Sequence, residues 1–230
     1  MERSTTSSWP RRHTHRAVLA VTGVALAGLL TGAGPAGASP QSFGCTSLAF
    51  SQVVNGQPVM PAGQANPAVN PCGYAENDPT AVIPLIPGIP GLITYRISPW
   101  DETTHYYPSA SFGLPEVASA EALIGHVQLV VLGRVIVDVS QASSYVAGDS
   151  CGIPDVRSSI NQVAVNGQVV NVGDKSMSFP LPNGQTLVTN VDVQNGNVAS
   201  ASALQVLDAN HNVVVEMATS MVTVPGGSCG

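Results

Sequence analysis

The stretch INQVAVNGQVVNV, residues 160–172, predicts a β-hairpin. Asn166-Gly167 at its centre is a pair that tolerates positive φ at both positions of a two-residue turn, and strand-forming valines recur on both sides. The same device recurs at Asn183-Gly184 and Asn195-Gly196, and Asn210-His211-Asn212 marks a further turn. These turns separate short, regularly spaced strands, which predicts an antiparallel β-sandwich or barrel-like module.

Valine content supports an all-β fold. There are 24 valines between residues 117 and 224, and a branched Cβ suits a pleated sheet better than a helix. Residues 127–140, VQLVVLGRVIVDVS, predict a strand that carries Arg134 and Asp138 as a pair on one face. Residues 115–125, PEVASAEALIG, suit a helix and a strand equally well.

The preceding part of the chain is less regular. Residues 42–54 predict a strand that ends at an Asn55-Gly56 turn, and residues 58–75 are expected to form a loop. Five prolines in residues 79–99 predict an extended connector or an edge segment, because proline cannot donate a hydrogen bond inside a sheet. We therefore expect an N-terminal strand, Pro-rich and aromatic loop segment over residues 39–116 and a β-module over residues 117–230.

The first 38 residues are typical of a secretory signal peptide. Arginines precede a run of fourteen uncharged residues, AVLAVTGVALAGLL, and Ala36-Gly37-Ala38 follows. A positive segment, an apolar segment and an A-x-A site are the three parts of such a signal, so cleavage between Ala38 and Ser39 is expected. The apolar run is shorter than the ~20 residues of a membrane span. Arg11-Arg12 leaves the Sec and twin-arginine routes both open.

Charge narrows the choice of partners. After Ala38 the chain holds four basic and thirteen acidic residues, so its net charge is −9, compared with −6 for the whole sequence. An acidic chain repels phosphate backbones, and nucleic acid is not expected as a partner. The C-terminal PGGSCG carries no sorting signal or apolar helix. We expect free secretion or disulfide-held surface association, with no membrane anchor in the mature chain.

Four cysteines predict two disulfides. Cys45, Cys72, Cys151 and Cys229 all follow the signal, and disulfides are the rule for even numbers of cysteines in exported chains. Of three possible connectivities we favour Cys45–Cys72 and Cys151–Cys229, because each pair encloses one segment. The sequence has no CxxC motif and no Cys/His cluster that would predict a metal site, and no cofactor is expected.

From about residue 119 the chain resembles a group of actinobacterial exported proteins labelled "choice-of-anchor P". The similar phrases are the strand pair VQLVVLGRVIVDVSQASSYV, the hairpin SSINQVAVNGQVVNV, the turn PLPNGQTLV and the long pair ASALQVLDANHNVVVEMATSMV. Thr189-Asn190-Val191-Asp192 departs from the Asn-Glu-Gln-like segment of that group. The resemblance implies a surface or secreted β-module with no established chemistry.

Two motifs resemble a catalytic site and a metal-binding loop, but each lacks residues that such a site requires. Gly148-Asp149-Ser150-Cys151-Gly152 is close to the phrase around a serine-protease nucleophile, but no suitably placed histidine or aspartate accompanies it. Asp208-Ala-Asn210-His-Asn212 begins like a calcium loop, but Val213 and Thr219 replace its glycine and glutamate. We interpret the first as a disulfide-bearing turn and the second as a hairpin turn, and we assign no catalytic residue.

A cluster of aromatic and acidic residues between positions 100 and 107 predicts ligand binding. Aromatic rings beside carboxylates are common in carbohydrate-binding grooves, although rings packed on a sheet would give the same composition. The expected function is a non-catalytic secreted or envelope module that is structural or adhesive, with envelope polysaccharide or another surface protein as partner. The alternative is a secreted hydrolase, either a divergent serine protease that uses Ser150 or a glycoside-acting enzyme that uses Asp101 and Glu102. The candidate ligand-binding residues are Trp100, Asp101, Glu102, His105, Tyr106 and Tyr107.

Overall fold

A computed structural model describes residues 42–54, 56–77, 86–87, 93–97, 100–107, 116–131, 134–182 and 184–226. These residues form strands without any helix, as the valine content and turn spacing predict. The strands are β1 Gly44–Val54, β2 Gln57–Ala65, β3 Ala75–Asn77, β4 Ile86–Pro87, β5 Ile93–Ile97, β6 Trp100–Tyr107, β7 Val117–Val131, β8 Arg134–Asp149, β9 Gly152–Val165, β10 Gln168–Gly173, β11 Met177–Pro180, β12 Thr186–Asn195, β13 Val198–Leu207 and β14 Val213–Thr223.

Two antiparallel sheets pack face to face as a sandwich. Sheet A has the order β11-β12-β13-β14-β1-β2, and sheet B has the order β10-β9-β8-β7-β5-β4. β6 continues the register of β5 along β7, since Ile97 pairs with Val127 and Trp100 pairs with Ile124, and β6 carries the short β3 on its other side. The predicted all-β sandwich is confirmed.

Most turns form where the sequence predicts them. Asn166 and Gly167 join β9 to β10 with φ of 50° and 79°, and His211 lies in the β13–β14 turn with φ of 63°. Between β12 and β13 the turn residues are Gly196 and Asn197, one position later than predicted, because Asn195 still pairs with Val198. Local backbone chemistry therefore locates these turns to within one residue.

Three other expectations need correction or completion. β2 crosses the segment expected to be a loop, because it is an edge strand and an edge tolerates proline. Residues 127–140 belong to two strands, since β7 ends at Val131 and β8 begins at Arg134, and the two pair as a hairpin. The ambiguous residues 115–125 contribute to β7 from Val117 onward.

The core between the sheets has two halves of different side-chain size. The large-residue half contains Phe50, Ile124, Leu129, Leu204 and Met217 among its members. The small-residue half is built mostly from alanine, valine and cysteine; its buried members are Phe43, Cys45, Cys72, Ala118, Ala120, Val146, Ile153, Ala199, Ala201, Val222 and Val224.

Hydrogen bonds join the sheets directly in and beside the small-residue half. The hydroxyls of Ser144 in β8 and Ser220 in β14 lie 2.8 Å apart, and Ser220 also donates to the carbonyl of Ser144 at 3.2 Å. Ser158 of β9 donates to Asp192 of β12 at 2.6 Å. Because a serine hydroxyl lies one bond beyond Cβ, contact with the facing backbone requires a local separation below the ~10 Å typical of stacked sheets.

At one row of residues that runs across sheet A, each strand switches which alternate set of side chains it turns toward the core. In β14, Ser220 and Val222 are buried on one side of the row, whereas Val215 and Met217 are buried on the other. A strand with uninterrupted alternation would turn these two sets to opposite faces. The row, which we call the sheet A crease, consists of Asn190, Ala203, Ala218, Ala49 and Gly63.

Left-handed backbone conformations produce the sheet A crease. Asn190, Ala218 and Gly63 have φ of 51°, 46° and 59°, so every second strand contains one. The pairing register continues across the row, because Ser202 pairs with Thr219 on one side and Leu204 with Met217 on the other. The strands thus bend together without slipping.

Sheet B has a corresponding crease. In β8, Val139 is buried before the row and Ala142 after it, and Gln141 between them is exposed with φ of 51°. The pairing on either side places the sheet B crease at Gly125, Gln141, Asn161 and Val172. The creases of the two sheets lie close together, because Gly63 packs against Trp100, which pairs with Ile124 beside Gly125.

Gly63, the glycine of the sheet A crease, is predicted not to tolerate a side chain. A methyl group added there would lie 2.6 Å from Nε1 of Trp100 and 2.8 Å from Cβ of Ala49, at a φ of 59°. Gly63→Ala should lower the free energy of unfolding by about 3 kcal/mol, from strain and overpacking together. The measurement is urea unfolding of the chain after residue 38, followed by the fluorescence of Trp100.

Gly167→Ala is the matched control. Gly167 has φ of 79° but open space around it, so its substitution costs only the backbone strain of about 1 kcal/mol. Equal losses for the two variants would contradict the close contact between Gly63 and Trp100.

Candidate functional site

The predicted binding cluster, residues 100–107, is strand β6 and not a loop. Because side chains alternate along a strand, β6 divides the cluster between two faces. Trp100, Glu102 and Thr104 are buried between the sheets. The remaining predicted residues are Tyr106, which packs on Phe43 with ring centroids 5.5 Å apart, and the outward-facing set Asp101, His105 and Tyr107.

The inward residues belong to the core. Trp100 is 7% exposed and Glu102 is fully buried. Both contact Gly63, since a methyl group there would lie 2.8 Å from Oε2 of Glu102. Stacking of a ligand on Trp100 would require the sandwich to open.

Three rings form an array on the outer face of sheet B. The rings of His105 and Tyr107 are nearly parallel, with centroids 5.7 Å apart and an interplanar angle of 9°. The ring of Tyr74 lies next to that of His105, with centroids 5.2 Å apart and an interplanar angle of 57°. Tyr74 and Tyr107 are 68% and 57% exposed. We call Tyr74, His105 and Tyr107 the aromatic array.

The Cys45–Cys72 disulfide positions Tyr74 in this array. The bond is formed as predicted. Cys72 donates its backbone N–H to the carbonyl of Phe43 at 2.6 Å, and its Sγ lies 3.4 Å from the carbonyl of His105. Thr104 then donates its hydroxyl to the carbonyl of Gly73 at 2.9 Å. These contacts hold the two residues before Tyr74 against β1 and β6.

Sequence reasoning missed Tyr74 because it lies 31 residues before His105. Its position two residues after a predicted disulfide cysteine indicated that it would be anchored, but not that β6 would be its neighbour. Pairing of Ala75 with Thr104 brings the two segments together.

Acidic and hydroxyl groups surround the aromatic array. Tyr74 donates its hydroxyl to Glu76, and this hydrogen bond, together with the charge of Glu76, raises the pKa of Tyr74. Thr103 pairs with Glu121, and Glu121 pairs with Tyr145 on the next strand.

Tyr145 and Arg157 continue the outer face of sheet B beyond Glu121. The guanidinium of Arg157 lies 4.6 Å from the centre of the Tyr145 ring and 3.7 Å from the carboxylate of Asp155. Burial and the charge of Asp155 raise the pKa of Tyr145, and Arg157 opposes them. The cation on this part of the face is thus already engaged by a ring and a carboxylate.

A second polar group lies across the sheet B crease. Asp138 is hydrogen-bonded to His126 at 2.7 Å and to Gln128 at 2.9 Å, so its predicted pairing with Arg134 is wrong. Burial opposes ionisation, but these hydrogen bonds outweigh it and hold the pKa of Asp138 below its ordinary value. Beside it is a shallow depression of about 290 Å³ that Ser140, Gln162 and Ala164 help to line.

Ser150 is not arranged as a nucleophile. It lies in the two-residue turn between β8 and β9, where Asp149 pairs with Gly152. The backbone N–H groups of Cys151 and Gly152 donate to Oδ1 of Asp149 at 2.7 and 3.0 Å. The amides that an oxyanion would require are therefore engaged in closing the turn.

The histidines of the described residues lie far from Ser150. His126 pairs with Ser140, and ten residues of extended chain, about 33 Å, separate Ser140 from Ser150. His105 is two strands away from β8, since it pairs with Ser119 and Ser119 pairs with Ala147. His211 lies at the opposite end of β14 from Val224, which contacts Gly148 near Ser150. None is within hydrogen-bond reach of the hydroxyl.

The Asp208 segment is organised as a turn. Oδ1 of Asp208 accepts hydrogen bonds from the backbone N–H groups of Asn210 and Asn212, each at 2.8 Å. The hydrogen bonds from Asn212 lower the pKa of Asp208 most strongly. Within the described ranges no group of three or more His, Cys, Asp or Glu side chains is placed to hold a metal ion.

Other predicted features lie partly or wholly outside the described residues. Cys151 is disulfide-bonded, and its predicted partner Cys229 is not among the described residues. The cleavage pair Ala38 and Ser39 also lies outside them. In the part of the chain that the structure covers, no helix is long and apolar enough to cross a membrane.

Comparisons with family models, with curated proteins and with solved structures each found no match to this chain.

Because Trp100 is buried and Tyr107 is exposed, substitutions at the two ends of β6 should have different effects on stability. Trp100→Ala should lower the free energy of unfolding by about 3–5 kcal/mol, because it empties part of the core. Tyr107→Ala should change it by less than about 0.5 kcal/mol, because the ring is exposed. Urea unfolding followed by far-ultraviolet circular dichroism measures both. A stable Trp100→Ala variant would place Trp100 at the surface and contradict the assigned facing.

Proposed function

We propose that the protein is an exported β-sandwich module of the cell envelope or extracellular space that acts by binding or as a structural element, without catalysis. The observation that carries the proposal is the buried Cys45–Cys72 disulfide. Disulfides persist in oxidising compartments and are rare in the cytosol. The signal-like residues 1–38 provide the export route, and the resemblance to choice-of-anchor P proteins supports the same location.

Site geometry supports binding over hydrolysis. The amides beside Ser150 are engaged by Asp149, and no described histidine reaches the hydroxyl. Asp101 and Glu102 are adjacent residues of one strand, with Glu102 fully buried in the core. Two carboxylates that flank a glycosidic bond must face one cleft. Adjacent strand residues turn to opposite faces and do not provide that arrangement.

Export is tested through the predicted cleavage site. Expressed with its own leader in an actinobacterial host, the protein should be recovered from the medium or cell surface with Ser39 as its first residue. Ala38→Arg should abolish cleavage, because the peptidase requires a small residue there. Gly37→Arg is the matched control, since the middle position of A-x-A is not read, and it should leave cleavage intact. Retention of the uncleaved wild-type chain in the cytoplasm would contradict the proposal.

The absence of catalysis is tested on the same purified protein. We expect no hydrolysis of peptide or glycoside substrates above that of buffer. Hydrolysis that Ser150→Ala removes would instead establish the protease alternative, and hydrolysis that Asp101→Asn removes would establish a glycoside-acting enzyme.

A further inference from the structure

We propose that the aromatic array on the outer face of sheet B binds a neutral polysaccharide chain. The inference rests on the proposed function, because an exported module meets such polymers at the envelope. The proposed binding surface does not include Trp100, which is enclosed in the core. It consists of Tyr74, His105 and Tyr107 on the outside of the sheet.

The array is a built feature of the surface. Single exposed apolar side chains are common and need no explanation, whereas a contiguous exposed patch marks an interaction site. Here Tyr74, which is distant from β6 in the sequence, is brought to β6 by the disulfide and by the hydrogen bond from Thr104 to Gly73. More than half of the surface of Tyr74 and of Tyr107 stays accessible. The fold fixes these rings without burying them.

Ring faces and carboxylates together suit a sugar. A pyranose presents an apolar C–H face, which packs on an aromatic ring, and hydroxyls around its edge, which need acceptors. The carboxylate of Glu76 is hydrogen-bonded to Tyr74 beside the array. Across the neighbouring strand, exposed Glu121 and half-buried Tyr145 add acceptor and hydroxyl groups on the same face.

Charge distinguishes this ligand from others. Glu76, Glu121 and Asp155 place negative charge on this part of the face, and the nearby Arg157 is held over the Tyr145 ring and close to Asp155. A polyanion such as an acidic glycan or a nucleic acid would be repelled. Leu123 is exposed near the array, and the other exposed large aliphatic side chains among the described residues of sheet B, Val135 and Val169, lie beyond the sheet B crease. These side chains do not form the apolar centre that a protein partner would require.

Binding is measured with the chain from Ser39 onward, disulfides intact. The probes are the neutral polysaccharide fraction of the producing organism's envelope, soluble α- and β-glucans and a mannan, with heparin as the anionic probe. Affinity electrophoresis and calorimetry report the dissociation constants. We expect binding to at least one neutral polymer and none to heparin.

Tyr74→Ala and Tyr107→Ala should each weaken that binding about tenfold or more, because central aromatic contacts dominate such surfaces. Each variant should keep the wild-type unfolding midpoint, since both rings are exposed. Val193→Ala is the matched control. Val193 is 40% exposed on sheet A, away from the array, and its substitution should leave binding unchanged.

The disulfide provides a second, independent test. The double substitution Cys45→Ser and Cys72→Ser should weaken binding, because it releases the segment that carries Tyr74, even at temperatures where circular dichroism shows the sheets intact. If this variant does not fold, the two tyrosine variants decide the question alone.

The outcomes separate the inference from the proposed function. A protein that is exported and cleaved at Ser39 but binds none of the neutral polymers overturns the array and leaves the export proposal standing. Binding that survives both tyrosine substitutions, or binding to heparin alone, also overturns it. Neutral-polymer binding by a chain that stays uncleaved in the cytoplasm would instead contradict the proposed function.

Discussion

Long strands can cover one core along their whole length only if the sheets bend together. β8 has 16 residues, which is about 50 Å at about 3.3 Å per residue, and two sheets of that length accumulate twist until their faces diverge. The two creases allow the sheets to bend together and so satisfy this constraint. At each of them the strands change the side chains that they turn inward, and the pairing register continues unbroken. Both halves of the core are thereby enclosed by the same two sheets.

The creases also define where function is possible. Trp100 packs on Gly63 at the crease and is committed to the core. On the small-residue side, alanine and serine let the sheets approach closely, and the disulfide joins β1 to the segment before β3. The exposed rings of Tyr74 and Tyr107 lie outside this core, on the outer face of sheet B. The aromatic array occupies that face because the disulfide brings Tyr74 to His105.

Features that depend on local backbone chemistry could be predicted from the sequence, and features that depend on neighbours could not. Asn166-Gly167 specifies its turn through positive φ at both positions. β2 was obscured by Pro58 and Pro61, which only an edge position tolerates, and the sequence does not show which strand is an edge. The candidate cluster was identified by composition, but its division required knowing that residues 100–107 form a strand. The creases were missed because a change of facing resembles ordinary irregularity in the hydrophobic pattern.

Gln141 offers the most direct test that left-handed residues create the creases. It is exposed, so its substitution by glycine removes no core packing and relieves a φ of 51°. If left-handed residues create the creases, Gln141→Gly should raise the free energy of unfolding by about 1 kcal/mol. Ser143→Gly, two residues along the same strand without a positive φ, should lower it by about 0.5–1 kcal/mol, as glycine does inside ordinary strands. Equal destabilisation of both variants in urea would show that β8 is regular at Gln141 and would contradict a crease formed by left-handed residues.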